Sequence, residues 1–443
     1  MTNNIENSAL DFHKSGQRPG KISLKPTKPL LTQSDMSMAY SPGVAAPCIE
    51  IHKNPEKVYD YTSKGNYVAV ITNGTAVLGL GNIGTLAAKP VMEGKAILMK
   101  KFADIDAMDI EIDSTDTNEL INIIKKISAP WGAINLEDIK SPECFEIEET
   151  LKKELDIPVF HDDQHGTAII VAAGLLNAAE ITNRDFTKMK IVINGPGAAG
   201  IACGRLLYLM GIDKKNITYC DSTGVLYAGR TENMNKIKKE IALETNARTL
   251  SDALNGADVF LGLSTKDALI PDMLKHMNPN PIIFAMANPD PEIKPEIAID
   301  ARPDAIIATG RSDYPNQINN VMCFPYIFRG ALDVRAKDIN NEMKIAAAYA
   351  IAKIAKEPIP EEVIQAYSNS NFELKYGPKY IIPSPFDPRL LPNVATAVAE
   401  AAIATNVAQN PIENITNYKN KLSQTIDPNI ATLTTLYANA KII

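Results

Sequence analysis

Residues 190–210 read KIVINGPGAAGIACGRLLYLM, in which a short apolar run leads through a glycine-rich turn into a helical pattern. The turn fits G-x-G-x-x-G and consists of Gly195, Pro196, Gly197, Ala198, Ala199 and Gly200. The pattern is informative here because it follows a predicted strand and begins a predicted helix. The first glycine allows a tight turn, the second lets the backbone approach a pyrophosphate, and the third lets the helix pack on the strand. The stretch therefore predicts a doubly wound α/β domain that binds a dinucleotide with its phosphates at the helix N-terminus.

The acid that ends the next predicted strand supports this interpretation. Asp221 closes the run ITYCD, about 20 residues beyond the turn, where a carboxylate can accept hydrogen bonds from ribose hydroxyls. The alternative is an aspartate that only forms a turn or caps a helix. Because a carboxylate here repels a 2′-phosphate, we expect NAD to be preferred over NADP. A basic residue folded over the site would reverse that preference, and the candidates are Arg230, Lys236, Lys238 and Lys239.

A second glycine string, GLGNIG at Gly79 to Gly84, fits the same pattern. No strand that ends in an acid follows it at the required distance. We therefore interpret this string as a structural turn.

Strand and helix patterns alternate over most of the chain, which predicts mostly parallel α/β sheets. The runs YVAVIT, MDIEID and WGAINLEDI precede the glycine turn, and ADVFLGLS, PIIFAMANPDPE and DAIIATGR follow it. We predict an N-terminal α/β domain over 1–162, a Rossmann-like domain over 163–400 and a C-terminal helical segment over 401–443. Residues up to about 63 are rich in Pro, Ser and Lys, so an irregular arm with at most short helices is expected there.

Composition excludes several classes of partner. The 443 residues carry a net charge of −7 and have a pI near 5.5, which argues against nucleic acids and anionic membranes. The five cysteines are scattered and form no C-x-x-C pair, so a reducing cytoplasm is expected. No secretory signal is readable at the start. The longest apolar run, 167–179, is too short to span a bilayer and is predicted to be a buried helix.

Two pairs of acids follow predicted strands. Glu137 and Asp138 end one strand, and Asp162 and Asp163 follow the strand IPVF. Carboxyl ends of parallel strands form the clefts of open α/β sheets, and oxygen ligands suit a hard cation, Mg²⁺ or Mn²⁺. The alternative is solvated loop acids and helix caps.

Two histidines, His161 and His165, flank the second acidic pair and raise the question of a zinc site. The order H-E-x-x-H is absent, and no third nitrogen or sulfur ligand lies nearby in the sequence. We therefore expect both histidines to support the neighbouring ligands or to pack in the core.

Together these passages resemble the malic enzyme family, in particular its shorter bacterial members. The resemblance covers most of the chain in the family's order: Tyr40 to Ala45 (YSPGVA), Pro90 to Lys95 (PVMEGK), Leu136 to Ile139 (LEDI), Phe160 to Thr167 (FHDDQHGT), the turn GPGAAG, Ala287 to Pro289 (ANP) and Asn319 to Val321 (NNV).

The resemblance implies a role for each matching residue. Tyr40 would be the catalytic acid, and Lys95 the catalytic base if burial or a nearby cation lowers its pKa. Glu137, Asp138 and Asp163 would be the metal ligands. Asn288 would contact substrate and nicotinamide, and Asn319 substrate. Larger family members carry a substrate-binding arginine where this chain has Ala76, so other donors must hold the malate carboxylates. Each residue also has a plainer reading: Tyr40 as a packing residue, Lys95 as a solvated lysine, Asn288 as a turn former.

The activity implied by the resemblance is oxidation of (S)-malate by NAD or NADP and decarboxylation to pyruvate and CO2, with decarboxylation of oxaloacetate as a side activity. A homo-oligomer, at least a dimer, is expected by analogy, without the acyltransferase-like extension of some bacterial relatives. Two alternatives remain: a dinucleotide-binding sensor with a decayed site, and another Rossmann dehydrogenase such as an amino-acid dehydrogenase.

Overall fold

The computed structural model describes residues 2–16, 19–366 and 374–425. Of the predicted C-terminal helical segment, residues 426–443 therefore lie outside the described residues. No helix within the described ranges is both long and apolar enough to cross a membrane.

The N-terminal arm is more helical than its composition suggests. It contains α1 (Thr2–Lys14), α2 (Gln33–Ala39), α3 (Ala45–Lys53) and α4 (Val58–Tyr61). The expectation of only short helices is wrong for α1, which has 13 residues and contains neither proline nor glycine. The glycines of the arm and most of its prolines lie outside these α-helices, whereas Pro47 lies in the first turn of α3, where a proline is tolerated.

The first sheet has four parallel strands. They are β1 (Tyr67–Thr72), β2 (Asp106–Glu111), β3 (Ala133–Leu136) and β4 (Val159–His161), and the helices between them are α5 (Thr85–Ala103), α6 (Thr117–Ile127) and α7 (Glu143–Glu154). The order in the sheet is β2-β1-β3-β4. The next strand after β1, β2, lies on one side of β1, and β3 lies on the other side. Because the direction of the strand order changes at this point, the cleft lies at the carboxyl ends of β1 and β3.

A long helix, α8 (Asp162–Ile181), follows β4 without a loop and connects the two sheets. It is buried along nearly its whole length, as the apolar run 167–179 predicted. The main apolar cluster joins Val70 of the first sheet, Leu175 of α8 and Ile193 beyond it. Both sheets thus pack on one continuous core that includes α8.

The second sheet has six strands. They are β5 (Ile191–Asn194), β6 (Ile217–Asp221), β7 (Gly224–Val225), β8 (Val259–Gly262), β9 (Ile282–Ala285) and β10 (Ile306–Thr309), and its helices are α9 (Ala198–Leu209), α10 (Lys236–Ile241), α11 (Leu250–Leu254), α12 (Pro271–Leu274) and α13 (Pro295–Ala301). The order is β10-β9-β8-β5-β6-β7, with only β7 antiparallel. The predicted doubly wound arrangement is confirmed, and its switch point lies between β5 and β8.

Up to residue 425, and apart from residues 367–373, five α-helices follow the second sheet. They are α14 (Phe324–Asp333), α15 (Asn341–Lys356), α16 (Glu361–Ala366), α17 (Leu390–Ala404) and α18 (Ile415–Thr425). The first two pack against α5 and α8 respectively. This places residues of the C-terminal half beside the cleft of the first sheet.

Candidate active site

Three carboxylates meet at the carboxyl edge of the first sheet. Glu137 and Asp138 directly follow β3, and Asp163 lies in the first turn of α8. One oxygen of each lies within 4.8 Å of the others, and the backbone N–H of Asp138 donates to Asp163 Oδ2 at 2.8 Å. Burial, together with the Asp163 charge, raises the pKa of Asp138 to about 8, and burial raises that of Glu137 well above its usual range.

This arrangement fits a hard divalent cation. Asp138 Oδ2 is buried and has no hydrogen-bond partner among the described residues. A cation in reach of all three carboxylates would offset their mutual repulsion and satisfy that oxygen. The predicted ligand set of Glu137, Asp138 and Asp163 is thus brought together, whereas their assignment to a metal stays a prediction.

Lys95, from the middle of α5, reaches into the same cluster. Its Nζ lies 3.0 Å from Glu137 Oε1 and 2.5 Å from Asp162 Oδ2, and 4.6 Å from the centre of the Phe324 ring. Burial alone would lower the pKa of Lys95, but Asp162 and Glu137 outweigh it and raise the pKa above its usual value. Burial therefore does not lower the pKa of Lys95 here, because the nearby carboxylates favour its protonated form; that a nearby cation lowers this pKa stays a prediction.

Asp162 and Asn320 form a contact that the sequence did not reveal. Asp162 is fully buried, and its Oδ2 accepts from both Lys95 Nζ and Asn320 Nδ2, each at 2.5 Å. Both residues lie next to positions that carried a role, Asp163 and Asn319. The sequence does show two adjacent acids, Asp162 and Asp163, and two adjacent asparagines, Asn319 and Asn320. It does not show which member of each pair lies near Lys95.

The two histidines do not join the metal group. His161 is fully buried with Nδ1 3.7 Å from Asp163 Oδ2, and His165 Nε2 contacts Glu148 Oε1 at 2.8 Å. Over the described ranges, the carboxylates that could share one ion are the three named above. The positions of His161 and His165 agree with the expectation that they support the neighbouring ligands or pack in the core.

The glycine turn after β5 has the predicted geometry. Gly195 has φ +108°, and a Cβ on it would lie 2.1 Å from the Leu263 carbonyl oxygen. A Cβ on Gly200 would lie 2.1 Å from the Gly195 carbonyl oxygen, whereas one on Gly197 would meet nothing within 4 Å. Helix α9 begins at Ala198, with Ala199 also in its first turn. Gly195 and Gly200 thus allow close packing, and Gly197 leaves open space where a pyrophosphate would approach.

The other glycine string is a turn that joins the two halves. A Cβ on Gly79 would lie 2.2 Å from the Asn288 carbonyl oxygen, so only glycine fits there. The backbone N–H of Ala76 donates to the Asp138 carbonyl at 2.9 Å. The loop therefore connects the segment after β3, which carries the candidate ligands Glu137 and Asp138, to the segment after β9. This agrees with a structural role.

Asp221 does not present a free carboxylate. Arg230 Nη2 donates to both of its oxygens at 2.8 and 2.9 Å, and Lys238 Nζ donates to Oδ2 at 2.8 Å. Although burial opposes it, bonds from Lys238 and Arg230 lower the pKa of Asp221 to about 2. The expected preference for NAD required an acid without compensating charge, and that condition is not met.

The remaining predicted site residues, Asn288, Asn319 and Tyr40, lie in three different surroundings. Asn288 lies just after β9, and its amide group lies beside Gly310 at the same edge of the second sheet. The Asn319 side chain accepts from the Val321 N–H and caps a short 3-10 helix. Tyr40 follows α2, is 74% exposed and has no side-chain contact to the carboxylate cluster among the described residues. The structure of one chain does not bring it to Lys95.

Fold and site together define a protein of two mostly parallel α/β sheets, with a candidate hard-cation site on the first and a glycine turn of the dinucleotide-binding type on the second. The family model described as "Malic enzyme, N-terminal domain" matches residues 19–152, and the one described as "Malic enzyme, NAD binding domain" matches residues 164–366. The chain belongs to the malic enzyme family.

Similar proteins support this membership. An NADP-dependent malic enzyme of Rhizobium meliloti (strain 1021) is 58% identical over 98% of this chain and 56% of its own length. An NAD-dependent malic enzyme of the same organism is 54% identical over 95% of this chain and 54% of its length. A crystal structure of a malic enzyme from Pyrococcus horikoshii Ot3 has 42% identity and a TM-score of 0.85, covering 98% of this chain and 100% of that one. The chain spans about half the length of the first curated relatives it matches.

Proposed function

We propose that this chain oxidises (S)-malate with a nicotinamide dinucleotide and decarboxylates the product to pyruvate and CO2, with Mg²⁺ or Mn²⁺ as cofactor. The observation that carries the proposal is the 3.0 Å contact between Lys95 Nζ and Glu137, because it puts a proton-transfer group next to a cation site. The similarity to NADP-dependent and NAD-dependent malic enzymes supports it. Residues 1–162 would form the metal and substrate domain and 163–400 the dinucleotide domain, which would add Asp163 to the metal ligands and Asn288 and Asn319 to the substrate contacts.

Glu137, Asp138 and Asp163 would hold the cation. Lewis-acid polarisation of the substrate oxygens is the chemistry that a divalent cation supplies when bound there, and hydride acceptance is what the dinucleotide supplies. Sharing Glu137 with a cation would remove part of the negative charge that keeps Lys95 protonated, and so lower its pKa.

Lys95, as the neutral amine, would then accept the proton of the C2 hydroxyl. Asp162 would hold the Lys95 Nζ through their 2.5 Å contact, and Asn320 would hold Asp162 through its own bond at 2.5 Å. The C2 hydrogen leaves as hydride to the dinucleotide. The bond to the distal carboxylate breaks next, and its electrons form the enolate of pyruvate. Tyr40 would protonate C3 of that enolate. Asn288 and Asn319 would contact substrate and, for Asn288, the nicotinamide.

A homodimer in which each protomer places its Tyr40 in the active site of the other would explain why the N-terminal arm exposes apolar side chains. The arm presents large apolar side chains to solvent, more than isolated surface residues would account for. They include Leu30, Leu31, Met36, Met38 and Ile49. A second copy seated on this face would cover them and could insert Tyr40 into the cluster of its partner.

Mixing two inactive variants tests this exchange. Tyr40→Ala and Lys95→Ala should each abolish malate oxidation alone. If Tyr40 acts across the dimer, hybrids carry one intact site, and random mixing should restore about a quarter of wild-type activity. Mixtures that stay inactive, although subunit exchange is verified with differently tagged chains, would place Tyr40 in its own site or outside the reaction.

For the dinucleotide we propose NADP rather than NAD. Two cations, Arg230 and Lys238, meet one carboxylate at Asp221, so the ribose end carries a net positive charge that favours a 2′-phosphate. A cytoplasmic location is also proposed, supported by five cysteines that are all free thiols.

A spectrophotometric assay with (S)-malate, Mn²⁺ and either dinucleotide tests the function. Reduction of the dinucleotide should depend on malate and stop when a chelator removes the metal. Activity that survives complete metal removal would contradict the proposed site and favour a different Rossmann dehydrogenase. Dinucleotide binding without turnover of malate would favour the sensor alternative.

A further inference from the structure

A cavity lies beside the later turns of α9, and its described lining residues include none of the glycine turn. It has a volume of about 460 Å³ and is bounded by the first turns of α8, the later turns of α9 and the start of α15. Two of its lining residues, Gln164 and His165, directly follow the candidate ligand Asp163 in the chain. The cavity and the candidate metal site thus use consecutive residues of one helical turn.

The floor of the cavity holds a lysine without a counter-ion. Lys344 is 4% exposed, and its Nζ lies 3.2 and 3.3 Å from the ring nitrogens of His165. No carboxylate oxygen of the described residues lies within the 4.0 Å salt-bridge distance of that Nζ. Burial lowers the pKa of Lys344 to about 8. A buried ammonium group is unfavourable unless an anion pairs with it.

Glu148, the nearby buried acid, is already engaged. Its carboxylate accepts from Gln164 Nε2 at 3.0 Å and contacts His165 Nε2 at 2.8 Å. It therefore fixes both residues of α8 that face the cavity, while Lys344 remains available to a ligand.

The remaining walls suit an anion with an apolar portion. Arg205 and Lys214 line the cavity and contact aromatic ring faces, those of Phe145 and Tyr208, instead of carboxylates. Two exposed acids, Glu149 and Glu240, also line it. Apolar side chains, including Ala168, Leu206 and Ile217, line the rest of the cavity.

We propose that this cavity is an effector site for a small organic anion. The carboxylate or phosphate group of the ligand binds Lys344, whose Nζ lies beside His165, and its apolar part lies along the α9 residues that line the cavity. Occupation shifts His165 and Gln164, and with them Asp163, so it changes the cation affinity of the first sheet. That last step rests on the proposed metal site.

Calorimetry on the full chain tests binding directly. Phenyl phosphate and benzoate are the probes, because each joins an anion to an apolar ring and they separate phosphate from carboxylate; inorganic phosphate tests charge alone. We expect one ring probe to bind wild type and to bind Lys344→Met at least about tenfold more weakly. Lys353→Met is the matched control, since it removes a positive charge from an exposed position of the same helix and should bind normally.

Lys344→Arg should retain most of the affinity, which separates charge from packing. Circular dichroism confirms that each variant is folded. Binding of neither ring probe to wild type, or equal binding to wild type and Lys344→Met, would overturn the proposal.

Coupling is measured separately by Mn²⁺ titration followed by electron paramagnetic resonance. Saturating probe should change the Mn²⁺ dissociation constant about fivefold in wild type and not in Lys344→Met. A bound probe that leaves Mn²⁺ affinity unchanged would overturn the effector role. If wild type binds no Mn²⁺ at all, the proposed function fails instead, and the calorimetric result still decides whether the cavity binds anions.

Discussion

The carboxyl edge of the first sheet presents charged side chains, whereas the corresponding edge of the second sheet presents glycines and backbone. At the first edge, the Lys95 Nζ lies 3.0 Å from a Glu137 oxygen and 2.5 Å from an Asp162 oxygen. At the second edge, Gly195 and Gly200 are held against backbone carbonyls. The first edge should therefore be sensitive to loss of a charge, and the second to gain of a carbon atom. Substitutions at the two edges can break or sharpen this contrast.

The largest effect is expected at the first edge for Lys95→Ala. Loss of the proposed base should slow malate oxidation about 10³-fold. Oxaloacetate bypasses the oxidation, so its metal-dependent decarboxylation should fall much less. Both rates are measured with Mn²⁺, and Lys101→Ala, an exposed lysine on the same helix, serves as the control that should change neither. Equal losses of the two activities would show that Lys95 is not specific to the oxidation step.

A pair of glycine substitutions tests the second edge. Gly200→Ala puts a Cβ 2.1 Å from the Gly195 carbonyl oxygen, so it should destabilise the fold by about 1–3 kcal/mol. Gly197→Ala meets open space at an extended φ of −86°, so the melting temperature should be unchanged. It should instead weaken dinucleotide binding roughly tenfold, because the added methyl group lies where the pyrophosphate approaches.

Thermal unfolding and dinucleotide titration separate the two variants. The contrast between packing glycine and binding glycine fails if both variants lose stability alike, or if Gly197→Ala binds the dinucleotide as well as wild type.

The same contrast between backbone and side-chain features explains which parts of the fold and the site could be predicted from the sequence. Glycine patterns and strand runs report on backbone, so the Rossmann-like sheet, the role of the Gly195 turn and the structural use of Gly79 could be predicted. Side-chain partners depend on which residues of distant segments meet. Asp162 lies 67 residues from Lys95 and 158 from Asn320, and no local pattern encodes those contacts.

Tyr40 and Asp221 illustrate two further limits. A motif gave Tyr40 a role, but one chain leaves it 74% exposed, because the sequence of a protomer says little about what covers its surface. At Asp221, the position of the acid could be predicted, but not that Arg230 and Lys238 would both bond to it. The first helix shows the reverse case: composition suggested an irregular arm, while 13 residues free of proline and glycine form α1.

The smallest expected effect concerns Lys238, where the second edge does use side-chain charge. Its Nζ donates to Asp221 Oδ2 at 2.8 Å and also to the Asn233 carbonyl at 2.9 Å, so it is fixed beside the acid. Lys238→Ala leaves Arg230 as the one cation paired with Asp221 and removes the excess positive charge that would attract a 2′-phosphate. The ratio of specificity constants for NADP and NAD should therefore fall about tenfold, which corresponds to about 1.4 kcal/mol in transition-state binding. Lys239→Ala is the matched control, because this neighbour on the same helix is exposed and makes no ion pair within the described ranges. An unchanged ratio in Lys238→Ala would mean that the pair around Asp221 only stabilises the fold, and that the choice of dinucleotide is made elsewhere.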